Sequence, residues 1–349
     1  MPVKDYIPLV LVDTENLPRE EWLEWRRKGI GGSDAATIIG VSPFSTARDL
    51  YYDKLNIVSA VDEEDNWVQK EIGHLLEDLV AKIFSKKTGY PVYQVKKMFY
   101  HPEHPYMLAD VDYFVRLPDG KTAILEIKTT NYNATGNWWR DGEEVVPINY
   151  EIQGRHYMAV TNIDKVYYCC LYGNTEDEVI IRSIERDETY EELIIALEGD
   201  FWNNNVLAKV PPPYCEDGEL VLESIRRFSG ELDKNLPSVP LNPHITSNVS
   251  RYLELQEEKK KVMSEEKRID SEMKRLRGCI LDVMGKSCNA ACTIGETDYN
   301  IEYNPSFKPI IDKDNLFRLK EQYPEIYEKF VTVSETRRFY VKKSHSKAA

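Results

Sequence analysis

The first third of the chain alternates apolar and charged positions at helical spacing. PREEWLEWRRKG, SDAATIIG and STARDLYYDKLN read as three helices, each entered through a Pro-, Ser- or Gly-rich stretch. Between Glu64 and Thr88 the residues Val68, Ile72, Leu75, Leu76, Leu79, Val80, Ile83 and Phe84 recur at helical intervals, predicting a long amphipathic helix that Gly89 ends. From Val92 to Lys128 the pattern turns to strand. PVYQVKKMFY, YMLADVDYFVRL and KTAILEIKTT are rich in Val, Ile, Tyr and Phe and are separated by Pro or Gly turns. A Trp-bearing loop, TGNWWRDGEE, leads into a helix from near Pro147 through EIQGRHYMAV. Strands KVYYCCLYG and EVIIRSIE follow, then a helix from near Tyr190 to Leu207. This order predicts an α/β (α+β) fold, a central mixed sheet flanked by helices.

Proline density then interrupts the pattern. The run Pro211 to Pro213 and the stretch LPSVPLNP mark residues 211–245 as a linker, separating a domain of residues 1–210 from a C-terminal region of residues 246–349. In that region Leu255, Val262, Ile269, Leu276 and Val283 repeat every seven residues in a Lys/Glu-rich background. At the offset positions Lys259 and Glu266 are charged while Met273 and Ile280 are apolar. A helix resting on another surface is therefore expected in preference to a self-standing coiled coil. The tail reads as two strands, TIGETDYNIEYN and RRFYVKK, with the helix DNLFRLKEQYPEIYEKF between them.

Composition narrows the class. At 349 residues one main core plus an appendage is expected, and 42% apolar with 30% charged residues suits a folded soluble chain. No stretch approaches the roughly 18 apolar residues of a membrane span, and MPVKDYIPLV lacks the pattern of a signal peptide, so the expectation is no membrane and a cytoplasmic location. The six cysteines show no CxxC pair and are expected as free thiols. A formal charge of −14 argues against nucleic acid, whose affinity comes largely from Lys and Arg. Binding would have to be local, through Arg26, Arg27, Lys28, Lys86, Lys87, Lys96 and Lys97.

The chemistry concentrates in TAILEIKTT. Strand periodicity puts Ile124, Glu126 and Lys128 on one face and Leu125 and Ile127 on the other, so a carboxylate and an ammonium are set into an apolar strand. Burying charges is costly unless they pair or bind a metal. The turn Pro118-Asp119-Gly120 fits a three-residue hairpin loop with Gly at the left-handed position. If Leu117 pairs with Lys121, Asp112 falls opposite Glu126. Two carboxylates, with a backbone carbonyl such as that of Ile127, suit Mg²⁺ or Mn²⁺, and Lys128 beside them could orient or help deprotonate a water attacking a phosphodiester. The spacing, Asp, 13 residues, then Glu-x-Lys, is that of PD-(D/E)XK nucleases. An exposed ion pair is the plain alternative.

IGGSDAATIIGVSPF, GHLLEDLVAKIF, LADVD, ILEIKTT and EIQGRHYMAV, in this order over roughly residues 20 to 200, resemble the YqaJ-like viral recombinases, relatives of lambda exonuclease. The resemblance implies a restriction-endonuclease-like core. It implies catalytic or metal roles for Asp112, Glu126, Lys128 and Glu77, with Gln153 as a positioning residue of the catalytic set and Tyr157, one turn on, as a DNA-binding residue. Arg27 with Gly31-Gly32-Ser33 resembles a pocket for the 5′ phosphate of a DNA end, although Ser33 reads equally as a helix cap. The sequence departs from the family in ADVD, where Val precedes the metal Asp and proline is common, and Asp110 competes for the ligand role. The implied activity is a Mg²⁺-dependent 5′→3′ double-strand exonuclease that makes single-stranded tails for an annealing protein, and the implied assembly is a homo-oligomer like a trimeric ring. An endonuclease, or a catalytically silent DNA-end or partner-binding module, are the alternatives.

Overall fold

The computed structural model describes residues 6–59, 67–230, 232–233, 235–307 and 311–332. It divides into two compact units, Met1–Lys234 and Asn235–Ala349. In the first unit β1 (Leu9–Asp13) precedes three short helices, α1 (Arg19–Arg26), α2 (Gly32–Ile38) and α3 (Ala47–Lys54), and the long α4 (Trp67–Thr88). Strands β2 (Val92–Tyr93), β3 (Lys97–Tyr100), β4 (Leu108–Ala109), β5 (Tyr113–Arg116) and β6 (Thr122–Thr129) come next. A 3₁₀ turn (Tyr132–Trp138) and the small hairpin β7 (Trp139–Arg140) with β8 (Glu143–Glu144) lead into α5 (Ile148–Thr161). Strands β9 (Lys165–Leu171) and β10 (Val179–Glu185) are followed by α6 (Glu188–Asp200), a π-helical turn (Phe201–Leu207) and α7 (Gly218–Ser229).

The main sheet runs β10-β9-β6-β5-β2, and only the β6–β9 pair is parallel. Parallel neighbours need a crossover, and α5 supplies it. Because β6 alternates its side chains, Ile124 packs with Met158, Val160 and Tyr168 beneath α5, while Leu125 and Ile127 pack with Val80, Ala81 and Phe84 of α4 on the opposite face. This is the expected mixed sheet between helical layers.

Two predicted strands are each split between sheets. β2 and β5 belong to the main sheet, whereas β3 and β4 join β1, which the sequence pattern did not predict, in a second sheet of order β1-β3-β4. The segment YMLADVDYFVRL therefore leaves one sheet at Ala109 and enters the other at Tyr113, and Asp110 and Asp112 lie in the changeover. The predicted turn is present: the Leu117 amide donates to the Lys121 carbonyl at 2.9 Å, and Gly120 has φ +83°.

Two expectations need correction here. The span expected as linker holds α7, whose Ser224 is buried; Arg48 donates to the Pro212 carbonyl at 2.6 Å and the Ala47 amide to Glu216 at 2.6 Å, so residues 211–230 are packed structure of the first unit. The apolar arc of α4 is buried only in its second half; Val68, Ile72, Leu75 and Leu79 are exposed.

The second unit contains α8 (Pro243–Met284), a hairpin of β11 (Asn289–Ile294) and β12 (Thr297–Glu302), and helices α9 (Lys313–Gln322) and α10 (Pro324–Phe330). The segment predicted as one strand of a pair is thus both strands of a local hairpin, turned at Gly295 with φ +65°. Pro324 breaks the predicted tail helix in two. The expected strand RRFYVKK lies outside the described residues. Along α8 the heptad residues are exposed, so the described residues of the second unit do not themselves supply the surface expected beneath this helix.

Candidate active site

β6 delivers Glu126 and Lys128 to the α5 face, and α5 delivers Gln153 to meet them. Lys128 Nζ donates to Glu126 Oε1 at 2.6 Å and to Gln153 Oε1 at 3.1 Å, while Gln153 Nε2 donates to the same Glu126 oxygen at 2.5 Å. The close seating of α5 depends on Gly154, where a Cβ would collide with the Tyr168 hydroxyl that donates to the Tyr150 carbonyl at 2.9 Å. Lys128 Nζ also lies 4.7 Å from the centre of the Tyr150 ring.

Asp112 takes the place opposite Glu126 that the hairpin register predicts, but just outside the ladder, which ends at Tyr113–Leu125. There its carboxylate accepts the Ile127 amide at 2.9 Å, replacing the strand partner that the changeover removes. Asp110 is engaged differently. It accepts the Trp22 indole N–H at 2.7 Å, which favours Asp112 as the main acid of the site.

The electrostatics are unbalanced. Glu126 is 2% exposed and its Oε2 has no hydrogen-bond partner. Burial raises the Asp112 carboxyl well above the usual carboxylate range, and neighbouring Glu126 adds to it. Burial likewise raises Glu126, against the pull of Lys128. Burial pulls Lys128 down, but Glu126 and Asp112 overcome it and the ammonium is held above its ordinary pKa. Lys128 thus serves two carboxylates, buried Glu126 and half-buried Asp112, and an orphaned carboxylate oxygen remains on Glu126.

Glu77 lines the same cleft of about 520 Å³ as Asp110, Asp112, Ser33 and Tyr157, and its charge raises the pKa of both Asp112 and Glu126. Its side chain is turned to His74 Nδ1 at 3.0 Å. Among the described residues no group of three His, Cys, Asp or Glu side chains is gathered closely enough to hold a metal. The donor set nevertheless fits a hard divalent cation, because all its oxygens are carboxylate or carbonyl and one buried oxygen lacks a partner.

The arginine that faces the cleft is not the one expected. Arg27 donates to Asp53 at 3.2 Å, whereas Arg26 faces the cleft, donating to Ser33 Oγ and to Asp34 Oδ1 at 2.8 Å. On α1, Arg19, Trp22 and Arg26 share one face at i, i+3 and i+7, a periodicity that points to Arg26 and that the sequence reading did not apply. Asp34 also went unnoticed. It binds buried Lys54 at 2.7 Å and accepts the Gly31 amide at 2.9 Å, so it occupies the start of α2 that was expected to receive an anion. Burial opposes its ionisation, yet Arg26 and Lys54 hold its carboxyl far below the usual range.

Tyr157, expected to contact DNA, is instead buried and braces the site from within. Its buried ring lies against Gly32 and its hydroxyl accepts from Gln153 Nε2 at 3.3 Å. His156, left out of the expected catalytic set, is fully buried, bonded to Glu198 and to the Leu108 carbonyl, each at 2.8 Å. It pins α5 to α6 and β4. Of the basic groups considered for a groove, Lys96 lines the cleft, but Lys86 and Lys87 pair with Glu176 and Asp177.

A family model described as the YqaJ-like viral recombinase domain matches residues 21–164. Over 339 residues the chain is 31% identical to the uncharacterized protein YqaJ of Bacillus subtilis strain 168, covering 95% of this chain and 97% of that one. The chain belongs to the YqaJ family. The family match spans every element of this YqaJ-family site from Trp22 to Tyr157. Among solved structures, the alkaline exonuclease LHK-Exo from Laribacter hongkongensis is similar at TM-score 0.44 and 21% identity, over 55% of this chain and 94% of that one. A phage related exonuclease from Haemophilus somnus 129PT is similar at TM-score 0.37 and 12% identity, over 52% of this chain and 96% of that one. No helix among the described residues is long and apolar enough to cross a membrane.

Proposed function

We propose that this YqaJ-family chain is a divalent-metal-dependent deoxyribonuclease, acting as a 5′→3′ exonuclease on double-stranded DNA ends. The observation that carries the reading is half-buried Asp112 and buried Glu126 beside Lys128, with Glu126 Oε2 left unpartnered. Asp112 and Glu126 would hold Mg²⁺ or Mn²⁺, joined by the Ile127 carbonyl, since an extended residue presents its C=O on the edge where its N–H meets Asp112. Glu77 could complete the set by releasing His74. Bound there, the cation would neutralise phosphate charge and lower the pKa of a water.

The chain's own groups supply the remainder. Gln153 fixes the Glu126 carboxylate and Lys128 together. Lys128, charged in this network, orients the attacking water and stabilises the charge that develops on the phosphoryl oxygens, rather than accepting a proton. The water oxygen bonds to phosphorus and gives up a proton to bulk water as the P–O3′ bond breaks, and the leaving 3′ oxygen takes up a proton from bulk water. Arg26 with Ser33 would meet the 5′ phosphate in place of Arg27. The products would be mononucleotides and a single-stranded tail for an annealing protein, in keeping with a family of viral recombinases.

Degradation of 5′-phosphorylated linear duplex and closed circular DNA with Mg²⁺, by wild type and Lys128→Ala, tests this. Loss of linear DNA alone, abolished by the substitution, supports the reading. A cut circle makes the enzyme an endonuclease, and no cleavage under several metals makes the fold a binding module.

A further inference from the structure

Helix α8 carries an apolar stripe that stands open. Leu255, Val262, Ile269, Leu276 and Val283 repeat every seven residues, and each is at least 46% exposed. A straight α-helix drifts by about 20° per heptad, so a stripe that keeps its seven-residue phase over this length belongs to a helix wound about another helix. The interleaved seam positions run Tyr252, Lys259, Glu266, Met273 and Ile280. Two opposite charges therefore sit in the middle of an otherwise apolar seam.

Those charges choose the partner and its direction. In a parallel pair of identical helices, Lys259 would face Lys259 of the second copy, and Glu266 would face Glu266, placing like charges in two successive layers. In an antiparallel pair each interleaved residue packs against a heptad residue of the other copy, so that Leu255 meets Met273, Val262 meets Glu266 and Ile269 meets Lys259. The two-fold axis of that register passes beside Ser264, at the midpoint of a helix that runs Pro243–Met284, so the two helices overlap end to end. Lys259 of each copy then lies three residues, about 4.5 Å along the axis, from Glu266 of the other.

The flanking positions permit this. Glu258, Glu265 and Glu272 would approach their counterparts across the pair, but each is already bound within its own helix, to Arg251 at 3.4 Å, Arg268 at 2.7 Å and Arg275 at 2.7 Å. We infer that α8 is a self-association element, pairing antiparallel with α8 of a second copy of this chain through the Lys259 and Glu266 charge exchange.

The test is the molar mass of the full-length protein, by sedimentation equilibrium at micromolar concentration, for wild type, Lys259→Glu, Glu266→Lys and the double exchange. Both residues are exposed, and circular dichroism checks that helix content is retained. The expected result is an associated wild type, a dissociation constant about tenfold higher for each single exchange, and recovery in the double exchange. A monomeric wild type overturns the inference. So do four proteins with the same association, which would place contact elsewhere or in a parallel seam, and so does a double exchange that fails to recover.

Discussion

Replacing Lys128 by Met separates the two roles that the proposed function gives it, in the reaction and in holding the buried carboxylate. The methionine keeps the stem of the side chain but removes an ammonium 2.6 Å from Glu126 and 3.1 Å from the Gln153 carbonyl oxygen. Loss of one preorganised donor at a developing oxyanion lowers kcat by about 10²–10³-fold, or about 2.7–4 kcal/mol. The metal-free protein loses stability as well. An uncompensated buried charge costs about 3–5 kcal/mol, but Asp112 and Glu126, both already raised, can take up a proton, so about 1–3 kcal/mol is expected. Affinity for Mn²⁺ alone should hold or rise, because a competing positive charge has gone. The assays are steady-state release of nucleotides from 5′-phosphorylated duplex, calorimetric titration with Mn²⁺, and urea denaturation with and without the cation. A variant that cleaves within about threefold of wild type, well short of the loss expected of an oxyanion donor, refutes the assignment. Joint loss of cleavage and of Mn²⁺ binding would mean that Lys128 holds the site together rather than serving the reaction.

Three further outcomes follow from the geometry. Arg26→Ala should abolish the preference for 5′-phosphoryl over 5′-hydroxyl duplex ends, whereas Arg27→Ala, which removes only a pairing with Asp53, should leave the rate ratio unchanged; equal behaviour of the two would reject the pocket. Because Asp112 and Glu126 have folded pKa values above their unfolded ones, the native metal-free protein binds protons preferentially. Its stability from these groups rises as pH falls from the raised values toward the ordinary carboxylate range, and is lost as pH climbs back. Saturating Mg²⁺ should therefore raise Tm more at pH above that window than within it, and a shift independent of pH would contradict a carboxylate site. Gly154→Ala should cost about 1–3 kcal/mol in urea denaturation, since the added methyl meets the Tyr168 hydroxyl and lifts α5 from the sheet. Unchanged stability would show that α5 has room to move.

The sheet face and the acid pair were legible because both follow from strict geometry. Alternation along β6 assigns Glu126 and Lys128 to one face, and a three-residue loop ending in Gly120 fixes the register that brings Asp112 opposite Glu126. The blocks GHLLEDLV and EIQGRHYM located Glu77 and Gln153, but their orientation was not legible. Whether Glu77 turns to a metal or to His74 depends on side-chain torsions that no spacing encodes. The changeover at Asp110–Asp112 was equally hidden, since a strand that passes from one sheet to another keeps the same apolar pattern on both sides of the kink. Likewise α7 was read as linker because flanking prolines dominate the local signal, whereas Ser224 and Glu216 reveal their packing only against Thr46 and Ala47, remote in sequence.

The displacement from Arg27 to Arg26 shows what decides such cases. Neighbouring residues on a helix differ by about 100° in direction, so a motif that names one basic residue in Arg26-Arg27-Lys28 fixes the chemistry but not the face. The face is fixed by company. Trp22 is four residues before Arg26 and its indole N–H reaches Asp110, so the side of α1 that carries Trp22 is the side that closes the cleft. Arg26, near the Trp22 ring at 5.4 Å from its centre, is carried to Ser33 and Asp34 by the same turn of helix. Arg27 is rotated away toward Asp53. Asp34 then sets what the pocket can do: it shares its charge between Arg26 and Lys54, and Lys54 can hold it when Arg26 swings toward a phosphate. Under the proposed function a 5′ phosphate would compete with one carboxylate for a guanidinium already aimed at the cleft, which would make Asp34 as much a determinant of end recognition as Arg26 itself.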